Sequence, residues 1–190
     1  MEHFSIRPFE EEDIDFAYKL DVMEQWNDTR NDMKRMVSYE PNGCFIAEIK
    51  GKPVGHVFSV SYGRLGWIGL MIVKAEFRRR GIGTLLLKRT IDYLLSLKVK
   101  TIRLEAVPTV ADLYRKLGFV DEYDSLRFIA VSGKIKSLSS HCVNPLKKEG
   151  ITELAKFDAK YFGADRKKVL SELFKVTLNS ALSHIKGLRS

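Results

Sequence analysis

The feature that most narrows the fold of this chain is a change of pattern between Trp67 and Leu97. WIGLMIVK has strand character, AEFRRRGIG is a basic loop with two glycines, and LLLKRTIDYLLSL follows directly as an amphipathic helix. Within it Leu87, Ile91, Leu94 and Leu95 recur at i, i+4, i+7 and i+8, the spacing of one helix face. A loop of this kind turns several backbone N–H groups toward one point, where the helix dipole also favours negative charge. Gly81 and Gly83 let the backbone approach phosphate oxygens without a Cβ in the way, and Arg78, Arg79 and Arg80 supply long-range attraction. A pyrophosphate fits there.

The flanking segments set the topology. FSIRPF reads as a short strand, and the acidic cluster Glu10 to Asp13 suits the positive N-terminus of a helix from about residue 11. Asn27 to Thr29 and Pro41 to Gly43 punctuate the chain between that helix and the next strand. CFIAEIK and PVGHVFSVSYG are strands joined by Lys50-Gly51-Lys52-Pro53, which has hairpin chemistry, so with WIGLMIVK they predict an antiparallel meander. After the central helix come a strand, TIRLEAV, a short helix, VADLYRKLGF, closed by Gly118, and a last strand, SLRFIAV. The order predicts an α/β fold: a mixed sheet with an N-terminal antiparallel meander, one helical crossover at its centre and flanking helices.

Past Gly133 the strand pattern ends. ITELAKFDAKYFG and DRKKVLSELFKVTLNSALSHI show helical spacing, with Gly163 placed to end the first helix and Asp165 to cap the second. Two parts are expected, a sheet domain over residues 1–133 and a helical basic extension over 134–190. The net charge of +8 belongs almost wholly to the second, which holds 12 Lys and Arg against 5 Asp and Glu, whereas the first holds 20 against 19. A basic appendage can attract nucleic acid, but this one lacks aromatic interleaving or a recognition motif, which favours a solvated helix face. Its stripe of Leu170, Leu173, Phe174 and Leu178 must be covered, either by the sheet domain or by a second copy, and a homodimer contact is the favoured expectation.

No apolar run approaches the roughly 20 residues that span a bilayer. The N-terminus has acid where a signal peptide would be basic and apolar, so a cytoplasmic protein away from membranes is expected. Cys44 and Cys142 read as reduced thiols, and His3, His56, His141 and His184 have no metal-ligand spacing, so no metal is expected.

Residues 3 to about 131 resemble the GNAT superfamily of acyl-CoA N-acyltransferases, whose signature R/Q-x-x-G-x-G/A stands here as Arg78 through Gly83. The resemblance implies a GNAT fold, with acetyl-CoA as acyl donor and a primary amine of a small molecule or peptide as acceptor. It implies direct attack in a ternary complex, with no covalent enzyme intermediate. By the same resemblance the loop Arg78, Arg79, Arg80, Gly81, Ile82, Gly83 and Thr84 binds the pyrophosphate, and Met71, Ile72 and Val73 pair with the pantetheine arm. Tyr114, in the helix before the L-G-F turn, takes the place of the acid that protonates the thiolate, and Glu105, at a strand end, that of the base. Trp26 and Asn27 fall where the acceptor pocket is shaped, an aromatic wall beside an amide. His56 is a weaker candidate base, since a lone His on a strand is more often a hydrogen-bonded structural residue. A GNAT-fold module that only senses acyl-CoA is one alternative, against which Tyr114 and Glu105 together argue, and a nucleic-acid-associated protein using the basic tail is the other.

The chain also resembles a GNAT subgroup through Gln25-Trp26-Asn27, Asn42-Gly43-Cys44-Phe45 and Tyr62-Gly63 with Trp67-Ile68-Gly69. Longer members carry a second GNAT-like half opened by helices with an F-G-A-D-R motif. That motif is present as Phe162 to Arg166, and the tail is expected to be a truncated second half.

Overall fold

A computed structural model describes residues 4–126, 128, 129 and 146–187, the last ten of these as backbone only. Among the described residues five strands form one sheet in the order β1 (Phe4–Pro8), β2 (Phe45–Ile49), β3 (Lys52–Tyr62), β4 (Leu65–Val73) and β5 (Thr101–Leu104). The first four run antiparallel, and β4 and β5 run parallel. The β2–β3 hairpin closes through Lys50 at φ 51° and Gly51 at φ 71°, the two left-handed residues that a primed two-residue turn demands.

Helices cover both faces. Alternation along β2 sends Phe45, Ala47 and Ile49 to the side of α3 (Ile82–Ser96), while Ile46 joins Ile14, Ala17 and Met33 from α1 (Ile14–Glu24) and α2 (Arg30–Tyr39). α3 is the crossover between β4 and β5 and buries Ile82, Leu86, Leu87 and Leu94. Those four side chains contribute on the order of 6 to 12 kcal/mol before the entropy of ordering, enough to fix the helix whose first turn ends the glycine loop. A short helix, α4 (Ala111–Lys116), follows β5.

Three expectations are corrected. Leu95 is 54% exposed, because the sheet-facing stripe of α3 runs through Leu86, Leu87, Thr90 and Leu94 and the next residue turns about 100° away. The strand expected at Ser125 to Val131 is not formed at residues 125, 126, 128 and 129, which are exposed, and its other positions lie outside the described residues. The crossover accordingly sits at an edge of the described sheet and not at its centre. α2 adds a helix that its mostly polar sequence does not announce; the punctuation at Thr29 is its cap, with Thr29 and Asp32 satisfying each other's backbone N–H.

Two helices of the tail, α5 (Ile151–Phe162) and α6 (Lys167–Gly187), are separated as expected by Gly163 at φ 86° and by Asp165, whose carboxylate accepts from Lys167 N at 2.7 Å. They dock on the sheet domain. Phe162 meets Tyr62 edge-on with ring centroids 5.2 Å apart and lies 6.3 Å from Trp67. Arg166 stacks 3.9 Å over Phe162, and Lys168 Nζ donates to the Tyr39 carbonyl at 2.9 Å. The Y-G, W-I-G and F-G-A-D-R motifs thus meet in one aromatic junction. Gly43 is a separate packing requirement, since a Cβ there would lie 2.5 Å from Glu40 Cγ and 2.8 Å from the Tyr93 ring. Leu170, Leu173 and Phe174 line an open groove with Leu146 and Leu154, and the Leu178 side chain lies outside the described residues.

Candidate active site

The site begins with a slip in the β3–β4 ladder. Phe58 faces Gly69 and His56 faces Ile72, so Leu70 and Met71 together oppose Val57. This extra residue is a β-bulge, and it holds Leu70 in the left-handed region at φ 45°. On the other side β5 pairs with β4 only as far as Ile68 with Leu104. Gly69 to Val73 therefore have β3 along one edge and no described strand along the other, which leaves main-chain groups for an extended ligand to pair with. Met71, Ile72 and Val73 occupy this bare stretch.

The loop then turns into α3. Arg79 at φ 60° and Gly81 at φ 85° are both left-handed, and no side chain among the described residues caps the helix. Its first-turn N–H groups are open donors at the positive end of a fifteen-residue helix. A Cβ on Gly81 would meet nothing within 4 Å, while one on Gly83 would lie 3.9 Å from Leu113 and Val73. An uncapped N-terminus with open space before it fits a pyrophosphate, and Ile82, Gly83 and Thr84 supply the first turn. The arginines differ from one another. Arg80 donates to the Glu76 carbonyl at 3.0 Å, and Arg78 donates to the Val73 carbonyl at 2.8 Å while pairing with Glu24 at the end of α1.

Tyr114 lies on α4, 8% exposed, packed edge-on to Phe119 in the same cluster as Ile82, Met71, Val73 and Leu113. Burial raises its phenol pKa, which keeps the O–H protonated and able to donate. Glu105 follows the last residue of β5, exposed, and accepts from Ser125 Oγ at 3.4 Å. The loop, the end of β4 and Tyr114 thus share one packed cluster, while Glu105 meets Ser125. Half-buried Trp26 and exposed Asn27, at φ 66°, lie in a hook between α1 and α2, just after Glu24, which pairs with Arg78 of the loop. Buried Cys44, its thiol pushed up to about 12 by burial, is no nucleophile.

His56 is structural, but not through the hydrogen bonds expected of it. Its ring is fully buried between Phe16 and Phe58, and neither nitrogen has a hydrogen-bond partner among the described residues. Burial pushes its pKa down to about 4, with the Leu70 backbone acting weakly against it. Because the unfolded chain binds a proton near pH 6.5 that the native chain refuses until about 4, this group's contribution is full above pH 6.5 and lost as pH falls toward 4. Wild-type stability is expected to drop by about 2 to 3 kcal/mol more than that of His56→Gln between pH 7 and pH 4.5 in urea unfolding. Equal drops would show that His56 titrates normally in the native state.

Residues 5–119, from β1 through α4 and including the whole glycine loop, match the acetyltransferase (GNAT) family. The chain belongs to that family. Among the relatives of this GNAT protein, holothin acyltransferase of Pseudoalteromonas sp. (strain SANK 73390) is 24% identical over 154 residues, covering 80% of this chain and 51% of its own. The crystal structure of a proposed acetyltransferase from Pyrococcus horikoshii superposes with a TM-score of 0.76 at 32% identity, over 90% of this chain and 61% of that one. Ard1 from Thermoplasma volcanium, at 24% identity and a TM-score of 0.58 over 63% of this chain and 84% of its own, shares the fold. This chain thus spans about half the length of holothin acyltransferase and less than two thirds of the Pyrococcus protein. Among the described residues no helix is long and apolar enough to cross a membrane, and no three His, Cys, Asp or Glu stand together as a metal site.

Three residues of the candidate site are not apparent from sequence. Leu70, at the bulge, leaves a faint trace where WIGLMIVK loses alternation. Glu24 pairs with an arginine 54 positions away, and Asp21, fully buried, accepts from Asp28 N at 3.1 Å to hold the hook. Neither leaves a local signal.

Proposed function

We propose that this GNAT protein moves an acetyl group from acetyl-CoA to a primary amine of a small molecule or peptide by direct attack. The observation that carries the proposal is the continuity of the bare β4 edge, Gly69 to Val73, with the uncapped N-terminus of α3. One supplies strand-like pairing for an amide-bearing arm, the other a pyrophosphate cradle, and they lie at the two ends of one short loop. Holothin acyltransferase, an acyltransferase by name, supports the reaction class. Acetyl-CoA supplies an activated acyl group as a thioester.

The chain's own residues do the rest. A backbone N–H near Met71 to Val73 polarises the acyl carbonyl. An amine with a pKa near 10.4 is almost fully protonated at neutral pH, and freeing its lone pair costs roughly 4 to 5 kcal/mol, so Glu105 acts as base directly or through water. Tyr114 gives its proton to the departing thiolate, a role supported by its place in the cluster with Met71, Val73 and Ile82. Trp26 and Asn27 orient the amine. In this reading residues 1–133 are the catalytic domain of a cytoplasmic enzyme, and the open groove of α5 and α6 in the extension 134–190 is a homodimer face.

Release of free thiol from acetyl-CoA, followed across a panel of polyamines, amino acids, aminoglycosides and peptides, tests the function. Release with at least one amine class is expected. A protein whose melting temperature rises with CoA but that releases thiol with none would be an acyl-CoA-binding module instead.

A further inference from the structure

Arg78 links two parts of the site, the end of β4 and the end of α1. Its Nε donates to the Val73 carbonyl, 2.8 Å away at the end of β4, and its terminal NH group pairs with Glu24, the last residue of α1. Immediately after Glu24 comes the hook that carries Trp26 and Asn27. That hook has little freedom of its own: Gln25 at φ 58° and Asn27 at φ 66° are both left-handed, Trp26 N donates to the Asp21 carbonyl at 3.3 Å, and Asp28 N to buried Asp21 Oδ1 at 3.1 Å. Displacing the end of α1 therefore displaces the hook as a unit.

The ion pair has little value as a stability device. Glu24 and Arg78 are 33% and 45% exposed, and pairs of that kind contribute about 0 to 1 kcal/mol. Its placement gives it another use. A guanidinium has five N–H donors, and the two contacts above leave donors to turn toward an anion at the glycine loop. Arg78 has only one positive charge to divide between that anion and the Glu24 carboxylate.

We infer that Glu24 is a positioning residue which, through Arg78, couples occupancy of the acyl-donor loop to the geometry of the hook at Trp26 and Asn27. The inference rests on the reading of that loop as the CoA site. By linkage the coupling runs both ways, so an amine held at the hook changes the affinity for CoA by the same factor as CoA changes affinity for the amine. Glu24→Gln keeps the size of the side chain and removes its charge.

The test uses full-length protein labelled with 5-fluorotryptophan, whose two fluorine resonances, from Trp26 and Trp67, are assigned with Trp26→Phe. Coenzyme A is expected to raise the melting temperature of wild type and of Glu24→Gln alike. It should move the Trp26 resonance in wild type and move it by less than half as much in Glu24→Gln. An equal Trp26 displacement in both proteins would overturn the inference, as would a CoA-induced melting shift in wild type with no change at Trp26. No melting shift in wild type would overturn the reading of the loop itself, and the inference with it.

Discussion

Replacing Gly81 and Gly83 together by Asp is expected to abolish the rise in melting temperature that CoA gives the wild-type protein. A ligand present at 100 times its Kd stabilises the native state by about 2.7 kcal/mol, which for a chain of this size is a shift of roughly 5 to 10 °C. The variant should still fold. A Cβ at 81 meets nothing and one at 83 makes ordinary contacts at 3.9 Å, and a carboxylate at the start of a helix satisfies its open N–H groups and suits its dipole. Some cost comes from the left-handed backbone at φ 85°, which Asp tolerates better than most residues. The same carboxylates that support the helix occupy and repel where phosphate must sit. A melting shift equal to that of wild type would place the pyrophosphate elsewhere.

Tyr114→Phe is expected to lower kcat by about 100-fold while leaving the Kd for CoA within a factor of two or three. The ring is 8% exposed and packs against Phe119, and Phe keeps that packing, so stability should change little. What is lost is one O–H held protonated by burial. Steady-state rates between pH 6 and 9, with CoA affinity measured separately, check both halves. Unchanged turnover at every pH would remove Tyr114 from the chemistry and leave it as core packing.

The parts of this molecule that are legible in its sequence are those coded over a few adjacent residues. Lys50-Gly51 specifies the β2–β3 hairpin by needing two left-handed residues, and the glycine loop before α3 specifies a helix N-terminus with open donors. Gly163 and Asp165 bound the tail helices for the same local reason. The illegible parts depend on contacts between distant segments. Leu70 is forced left-handed by its register against β3, and α2 is held by packing Met33, Met36, Val37 and Tyr39 from a mostly polar sequence. Tyr62, Trp67 and Phe162 are visible as motif residues, but their shared role in docking the tail exists only once β3, β4 and α5 meet. In the candidate site the glycine loop is legible because its chemistry is backbone chemistry. Glu24 and Asp21 are not, because an isolated acid in a helix carries no sign of what it faces.

Isotopically labelled acetyl-CoA distinguishes direct transfer to an amine from a route through the protein. Intact-protein and small-molecule mass spectrometry would follow the label after incubation with and without an amine that supports thiol release. The expected result is label on the amine nitrogen of the product and none bound to the chain when the amine is left out. Label held covalently on the protein, or thiol release with no labelled amine, would contradict direct transfer.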